Sequence, residues 1–316
     1  MTSIKSFCTS LVVSFCLAAA DGDFPRQWFL NAHNCYPAKA QGKDRLERAR
    51  RAGLSAIEVD LAWSEPRGRA VVSHEVKQQG NEPTLEEFFF LPLLAHLRQM
   101  PRMEPGILLL LDFKSAHVSL VREVHALLSR YRELLTNPGR RSDPPATTPL
   151  RYGPLTVLLT GDNSALAQFE ALTTDQEVYL AIGNREPPER KYRNQIADYF
   201  AQPATAFFRV FNFEWVHIEK DPNPQAGAFT RAERARLQAL VKMAHQKGYW
   251  LRAWTLNATS LAWGPSKNFG SRPALLERWR AAQAAGVESI ATDEYELAGE
   301  FMRTADPRPR QPQSPR

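Results

Sequence analysis

Glu58 and Asp60 stand two residues apart in the run Ile57-Glu58-Val59-Asp60-Leu61. On a strand this spacing turns both carboxylates to one face, because side chains alternate. Like charges held together out of water need a cation or a proton between them. Two histidines bracket the pair: His33 closes the apolar stretch from Trp28 to Ala32, and His74 closes Val71-Val72-Ser73. The run Ile107 to Leu111 ends in Asp112-Phe113-Lys114, adding a third carboxylate and an ammonium on one side. Hard divalent ions select carboxylate oxygens, and histidine changes charge near neutral pH. These are the parts of a metal-assisted phosphodiester cleavage.

The elements that must position them alternate along the chain. Strands are predicted at 28–32, 56–61, 107–111, 155–160, 178–182, 207–213, 249–255 and 288–292, with a short extended piece at 70–73. Helices are predicted between them. Thr84 to Glu87 and Thr230 to Glu233 are capping boxes, Gly53 and Gly286 close helices, and Pro92 divides the helical region 84–99. A helix is predicted over 117–135, a surface loop over 137–150, and a last helix over 295–304. This α/β pattern predicts a (β/α)8 TIM barrel, whose active face lies at the C-terminal strand ends. A doubly wound open sheet competes with it, but no GxGxxG or P-loop motif is present.

At 316 residues the chain suits one large barrel or two ordinary domains. The boundaries read as a signal peptide over 1–20, a phosphodiesterase barrel over 21–304 and a disordered Pro/Arg-rich tail over 305–316. Lys5 followed by the uncharged run Phe7 to Ala20 predicts export, to a periplasm or the medium. The net charge is +6; removing Lys5 with the signal leaves +5 (6 − 1). This suits an anionic substrate or peripheral membrane contact. No basic block interleaved with aromatics indicates nucleic acid. With Cys8 and Cys16 in the signal, Cys35 is left alone and no intramolecular disulfide is expected.

His33, then Glu58-Val59-Asp60, then the segment Gly68 to Glu75 ending at His74, resembles the glycerophosphodiester phosphodiesterase and phosphatidylinositol-specific phospholipase C-like superfamily. Trp254-Thr255-Leu256-Asn257 and Gly286 to Asp293 are similar to its last two strands. Asn34 and Tyr36 after His33 are closest to the altered inheritance of mitochondria protein 6-like branch, which begins His-Asn-Asp-Tyr, whereas the glycerophosphodiesterase branch carries Arg-Gly after this His. Asp112-Phe113-Lys114 resembles the Asp-x-Lys of the sphingomyelinase D branch.

The resemblance implies one divalent cation, Mg2+ or Ca2+, on Glu58, Asp60 and Asp112. It implies His33 as base or nucleophile and His74 as the acid toward the leaving group; the roles could be exchanged. Asn34, Lys114, Arg252 and Trp254 are the substrate-binding candidates. The expected substrate is a glycerophosphodiester or phospholipid headgroup, and the expected state a monomer. Attack by water and attack by a substrate hydroxyl both remain open. Three other readings compete. A thiol nucleophile at Cys35 lacks a separate base and yields to a packing role. A glycoside hydrolase would need neither histidine nor metal. A non-catalytic barrel would bind phospholipid or a partner without turnover.

Overall fold

The computed structural model describes residues 24–37, 45–75, 80–99, 106–143, 150–187, 193, 195–219, 227–254, 256–258 and 269–305. The predicted signal 1–20, and the predicted tail beyond its first residue, lie outside these residues. Eight strands form a closed parallel ring: β1 (Leu30–Ala32), β2 (Ala56–Ser64), β4 (Ile107–Phe113), β5 (Leu155–Gly161), β6 (Ile182–Arg185), β7 (Phe208–Glu214), β8 (Trp250–Trp254) and β9 (Ser289–Thr292). Pairing of Ala32 with Ile57 and of Leu30 with Ile290 closes it through β1. A short strand β3 (Arg69–Val72) turns back antiparallel on β2 and delivers His74 to the mouth. The TIM barrel expected from the alternation is the architecture found.

Helices α1 (Arg45–Arg51), α2 (Leu91–Gln99), α3 (Val118–Arg130), α4 (Asn163–Ala171), α5 (Arg231–Gln246), α6 (Arg272–Ala285) and α7 (Tyr295–Ala305) are the long connections. On α3, Leu120, Val121, Val124, Leu127 and Leu128 recur at helical spacing and are all buried, so one stripe faces the strands. Both capping boxes form: Thr84 and Glu87 exchange side-chain-to-backbone bonds, as do Thr230 and Glu233. Ahead of Pro92 the helix widens into a π segment, Glu86–Phe90. Proline has no N–H to give the preceding turn, which accounts for the change of pitch there.

Two apolar layers hold the ring. Ala56, Leu108, Leu110, Leu158, Ile182 and Val210 fill the inside of the barrel, capped below by Trp28. A larger layer, including Leu109, Leu111, Leu159, Phe207 and Trp279, lies between strands and helices. Burying each of these leucines contributes about 1.5–3 kcal/mol.

Two elements depart from expectation. The fifth barrel strand runs over Ile182–Arg185 rather than 178–182. Val178 is instead bridged to Arg140, and Tyr179 N–H donates to Gly139 O at 3.0 Å, so the first apolar residues are a lead-in. The helix predicted over 117–135 ends at Arg130 and tightens into a 3-10 turn, Arg132–Leu134. The Tyr131 hydroxyl, bonded to Glu86 at 2.7 Å, ties that turn to the π segment.

Candidate metal and acid–base site

Alternation along β2 and β4 builds the site. Ala56, Glu58 and Asp60 share the inner face with Leu108, Leu110 and Asp112, and the register sets Asp60 beside Asp112. The apolar members plug the barrel, and the acids come at the C-terminal end. Glu58, Asp60 and Asp112 each offer an oxygen within 4.8 Å of the others. Asp60 has no solvent exposure, and neither of its oxygens makes a hydrogen bond among the described residues. Lys114 Nζ stands 3.3 Å from Asp60 Oδ1 and donates to Asp112 Oδ2 at 2.9 Å. Burial, followed by the charges of Asp112 and Glu58, pushes the Asp60 carboxyl up to about 7 although Lys114 opposes the shift. A buried carboxylate that accepts no hydrogen bond, beside two more carboxylates, is a donor set that fits a hard divalent ion.

Glu58 is anchored from across the barrel. Arg252 on β8 donates Nη2 to Glu58 Oε2, Nη1 to Asn212 Oδ1 at 2.9 Å and Nε to Asn31 Oδ1 at 3.2 Å. Arg252 is 3% exposed. Its guanidinium lines the cavity, but these bonds hold a carboxylate in place.

His33 follows β1. Its Nδ1 lies 3.3 Å from Asp293 Oδ1 and 2.7 Å from Asn34 Nδ2, and its Nε2 lies 3.7 Å from Glu58 Oε1. Burial lowers the affinity of this ring for a proton, yet Glu58 and Asp293 outweigh it and the net shift is upward. Asp293 is fixed in turn by Asn257, whose Nδ2 donates to Oδ2 at 3.0 Å and whose Oδ1 accepts from Asp293 N–H at 2.8 Å. The Tyr295 hydroxyl donates to His33 O. Asn34 sits at φ +60°, a left-handed conformation that asparagine tolerates. That turn directs its amide to Asp293 Oδ1 at 3.1 Å. The candidate substrate contact at Asn34 is thus placed beneath His33 and does not line the cavity.

His74 stacks on Tyr36 with centroids 5.5 Å apart, and Arg45 covers the Tyr36 ring at 4.9 Å. Burial, then the charge of Lys114, shifts His74 downward. The two histidines are therefore pushed in opposite directions.

His33, His74, Glu58, Asp112, Lys114, Arg252 and Trp254 line one cavity of about 360 Å³, with Asp60 buried beneath. The structure thus gathers every sequence-read site residue except Asn34 and Asp60 into its wall. Glu186, Asn212, Thr160 and Asn257 also line it and were not singled out as site residues. Glu186 Oε1 accepts from Asn212 Nδ2 at 2.8 Å. Ending strand five at 182 hid it, because Glu186 is the residue just past the true strand. The pairing of Asp293 with His33 spans 260 positions, so no local spacing signals it.

Three other polar side chains lie apart from the cavity wall. Cys35 is buried on Ala32 O and the Tyr295 hydroxyl, each 3.7 Å away, and burial pushes its thiol up. That is a packing environment, not a nucleophile's. His217 is 1% exposed with Nδ1 at 3.2 Å from the Tyr199 hydroxyl. His117 stacks on Trp63 at 4.7 Å.

The chain has the barrel fold of a Ca2+-dependent phosphatidylinositol-specific phospholipase C from Streptomyces antibioticus. The TM-score is 0.50 at 16% identity, over 85% of this chain and 94% of that one. A glycerophosphodiester phosphodiesterase from Agrobacterium tumefaciens superposes with TM-score 0.47 at 10% identity, over 87% and 98% of the two chains. A hyperthermophilic endo-β-1,4-glucanase superposes with TM-score 0.46 at 9% identity, over 85% and 90%. No protein-family model matches the chain. No curated protein matches it either. Among the described residues no helix is long and apolar enough to cross a membrane.

Proposed function

We propose that this protein is a metal-dependent phosphoric diester hydrolase acting on glycerophosphodiesters or phospholipid headgroups. One observation carries the reading. Two histidines share a cavity whose floor is a three-carboxylate cluster, with the buried Asp60 accepting no hydrogen bond among the described residues. The barrel shared with a Ca2+-dependent phospholipase C supports it at the level of fold.

Glu58, Asp60 and Asp112 would hold the ion, Mg2+ or Ca2+, which when bound neutralises charge building on the phosphoryl oxygens. The residues of the chain do the rest. Lys114, on the cavity wall, steadies a non-bridging oxygen. His33 and His74 supply the acid–base pair. Asp293 holds Nδ1 of His33, so that Nε2 is the atom turned to Glu58 and the cavity. Glu58 and Asp293 shift His33 upward and burial shifts His74 downward, and the geometry accommodates either assignment of base and acid. Trp254 offers an aromatic wall to the alcohol side of the diester.

The test is hydrolysis by the full chain of bis-p-nitrophenyl phosphate, glycerophosphodiesters and lysophospholipids, with EDTA, Mg2+ or Ca2+. Turnover that requires the ion and disappears in His33→Ala and Glu58→Ala is the expected result. Ion binding without turnover of any diester would favour a binding barrel. Activity that ignores EDTA and both substitutions would remove this site from the chemistry.

A further inference from the structure

Lys114 follows the last residue of β4 and shares the side of Asp112, so its ammonium is delivered straight into the acid cluster. Nζ lies 2.9 Å from Asp112 Oδ2 and 3.3 Å from Asp60 Oδ1. Oxygens of a bound Mg2+ or Ca2+ stand about 2.0–2.6 Å from the ion. An ion bridging those same two oxygens would take the atoms that hold the ammonium, so the two cations compete for the cleft. Arg252 is not an alternative filler, because all three of its nitrogens are committed to Glu58, Asn212 and Asn31. Lys114, by contrast, is 21% exposed at the side chain and lines the cavity, so it has somewhere to go.

We propose that Lys114 is a placeholder for the cation, which must leave the cleft for a divalent ion to enter and then turns its ammonium into the cavity to grip a phosphate oxygen. The inference rests on the ion site proposed above and deepens it. Ion binding and anion binding become cooperative: in the ion-free protein Asp60 and Asp112 hold the ammonium, and once displaced it is available to an anion. These pairings, which leave one negative charge over, also explain how three carboxylates fold together without a metal. Arg252 offsets Glu58, and Lys114 is shared by the other two.

The test is titration calorimetry of the full chain with Ca2+ and with Mg2+, then with inorganic phosphate in the presence and absence of the ion. Lys114→Met removes the charge and keeps the length. It should bind the ion about tenfold more tightly, since no ammonium has to be displaced. Wild type should bind phosphate more tightly with the ion than without it, and Lys114→Met should lose that difference. Lys114→Gln with thermal melts covers the case in which the methionine variant does not fold; its melting temperature should rise more on adding the ion than wild type's does. Equal or weaker ion binding in the variants, or phosphate binding indifferent to the ion in wild type, overturns the placeholder while leaving the ion site standing. Ion binding to neither wild type nor variant overturns the ion site and the placeholder together.

Discussion

The carboxylate of Asp293 reaches Nδ1 of His33 at 3.3 Å, joining the end of the last barrel strand to the end of the first. His33 N–H also donates to Thr292 O at 3.0 Å, so backbone and side chain make the same junction. Asp293 is held below the usual carboxylate range: burial pushes it up, and the His33 charge and bond outweigh that.

Asp293→Asn keeps the shape and removes the charge that orients and protonates His33. We expect kcat to fall by about 10²–10⁴-fold, the usual span for a general acid or base, with KM and melting temperature changed little. Steady-state kinetics on the diester cleaved best would check it. Unchanged kcat would mean that the pair is only a strand clasp.

Gly161 ends β5 at φ +94°, and a Cβ there would stand 2.2 Å from Asp112 Oδ1 and 2.3 Å from Phe113 O. Gly161→Ala meets both a left-handed backbone and a fixed carbonyl, so the Asp112 carboxylate has to move. The expected cost is about 1–3 kcal/mol of stability, together with weaker divalent-ion binding in calorimetry. A variant with normal ion affinity would show that the close approach is incidental.

Asp60, raised to about 7 by burial, should make the ion-free protein less stable as pH rises. Between its ordinary value and about 7 the folded state holds the proton more tightly than the unfolded chain, so stability falls through that window and the full cost stands above it. Asp60→Asn removes the cost. Its melting temperature, measured without ions, should exceed wild type's by more at about pH 8 than at about pH 5. Adding Ca2+ or Mg2+ should raise the wild-type melting temperature and leave that of Asp60→Asn nearly still. An advantage independent of pH would argue against a buried ionisable group.

Far from the mouth, His245 Nε2 meets Glu288 Oε1 at 2.8 Å, and that bond raises the histidine against the opposing effect of burial. A raised histidine stabilises fully below its unfolded value and loses the contribution as pH rises through the folded one. His245→Gln should therefore lower the melting temperature more at about pH 5.5 than at about pH 8.5. A gap that does not close with pH would show that packing, not charge, is what the ring contributes.

Much of this was legible without coordinates because it depends on local rules. The period of two in Ala56-Ile57-Glu58-Val59-Asp60 places both acids on one face of any strand. The five-residue apolar run before Asp112 requires burial on both sides. Repetition of strand and helix then leaves few folds besides a closed barrel. Although the fifth barrel strand begins only at Ile182, the run Val178 to Ile182 is apolar enough to be a strand. What draws its first residues out of the barrel is a bridge from Val178 to Arg140, 38 positions back.

What the tertiary structure alone decided is the pairing of charges. Sequence spacing brings Glu58, Asp60 and His33 to the same end of the barrel, but it does not say that Arg252 will anchor Glu58 or that Asp293 will hold His33. It does not say that Lys114 will reach both Asp60 and Asp112. These partners come from strands on the far side of the ring or from a register between neighbours. Barrel closure sets the distances, and in a buried, low-dielectric floor a few ångströms determine which charge offsets which.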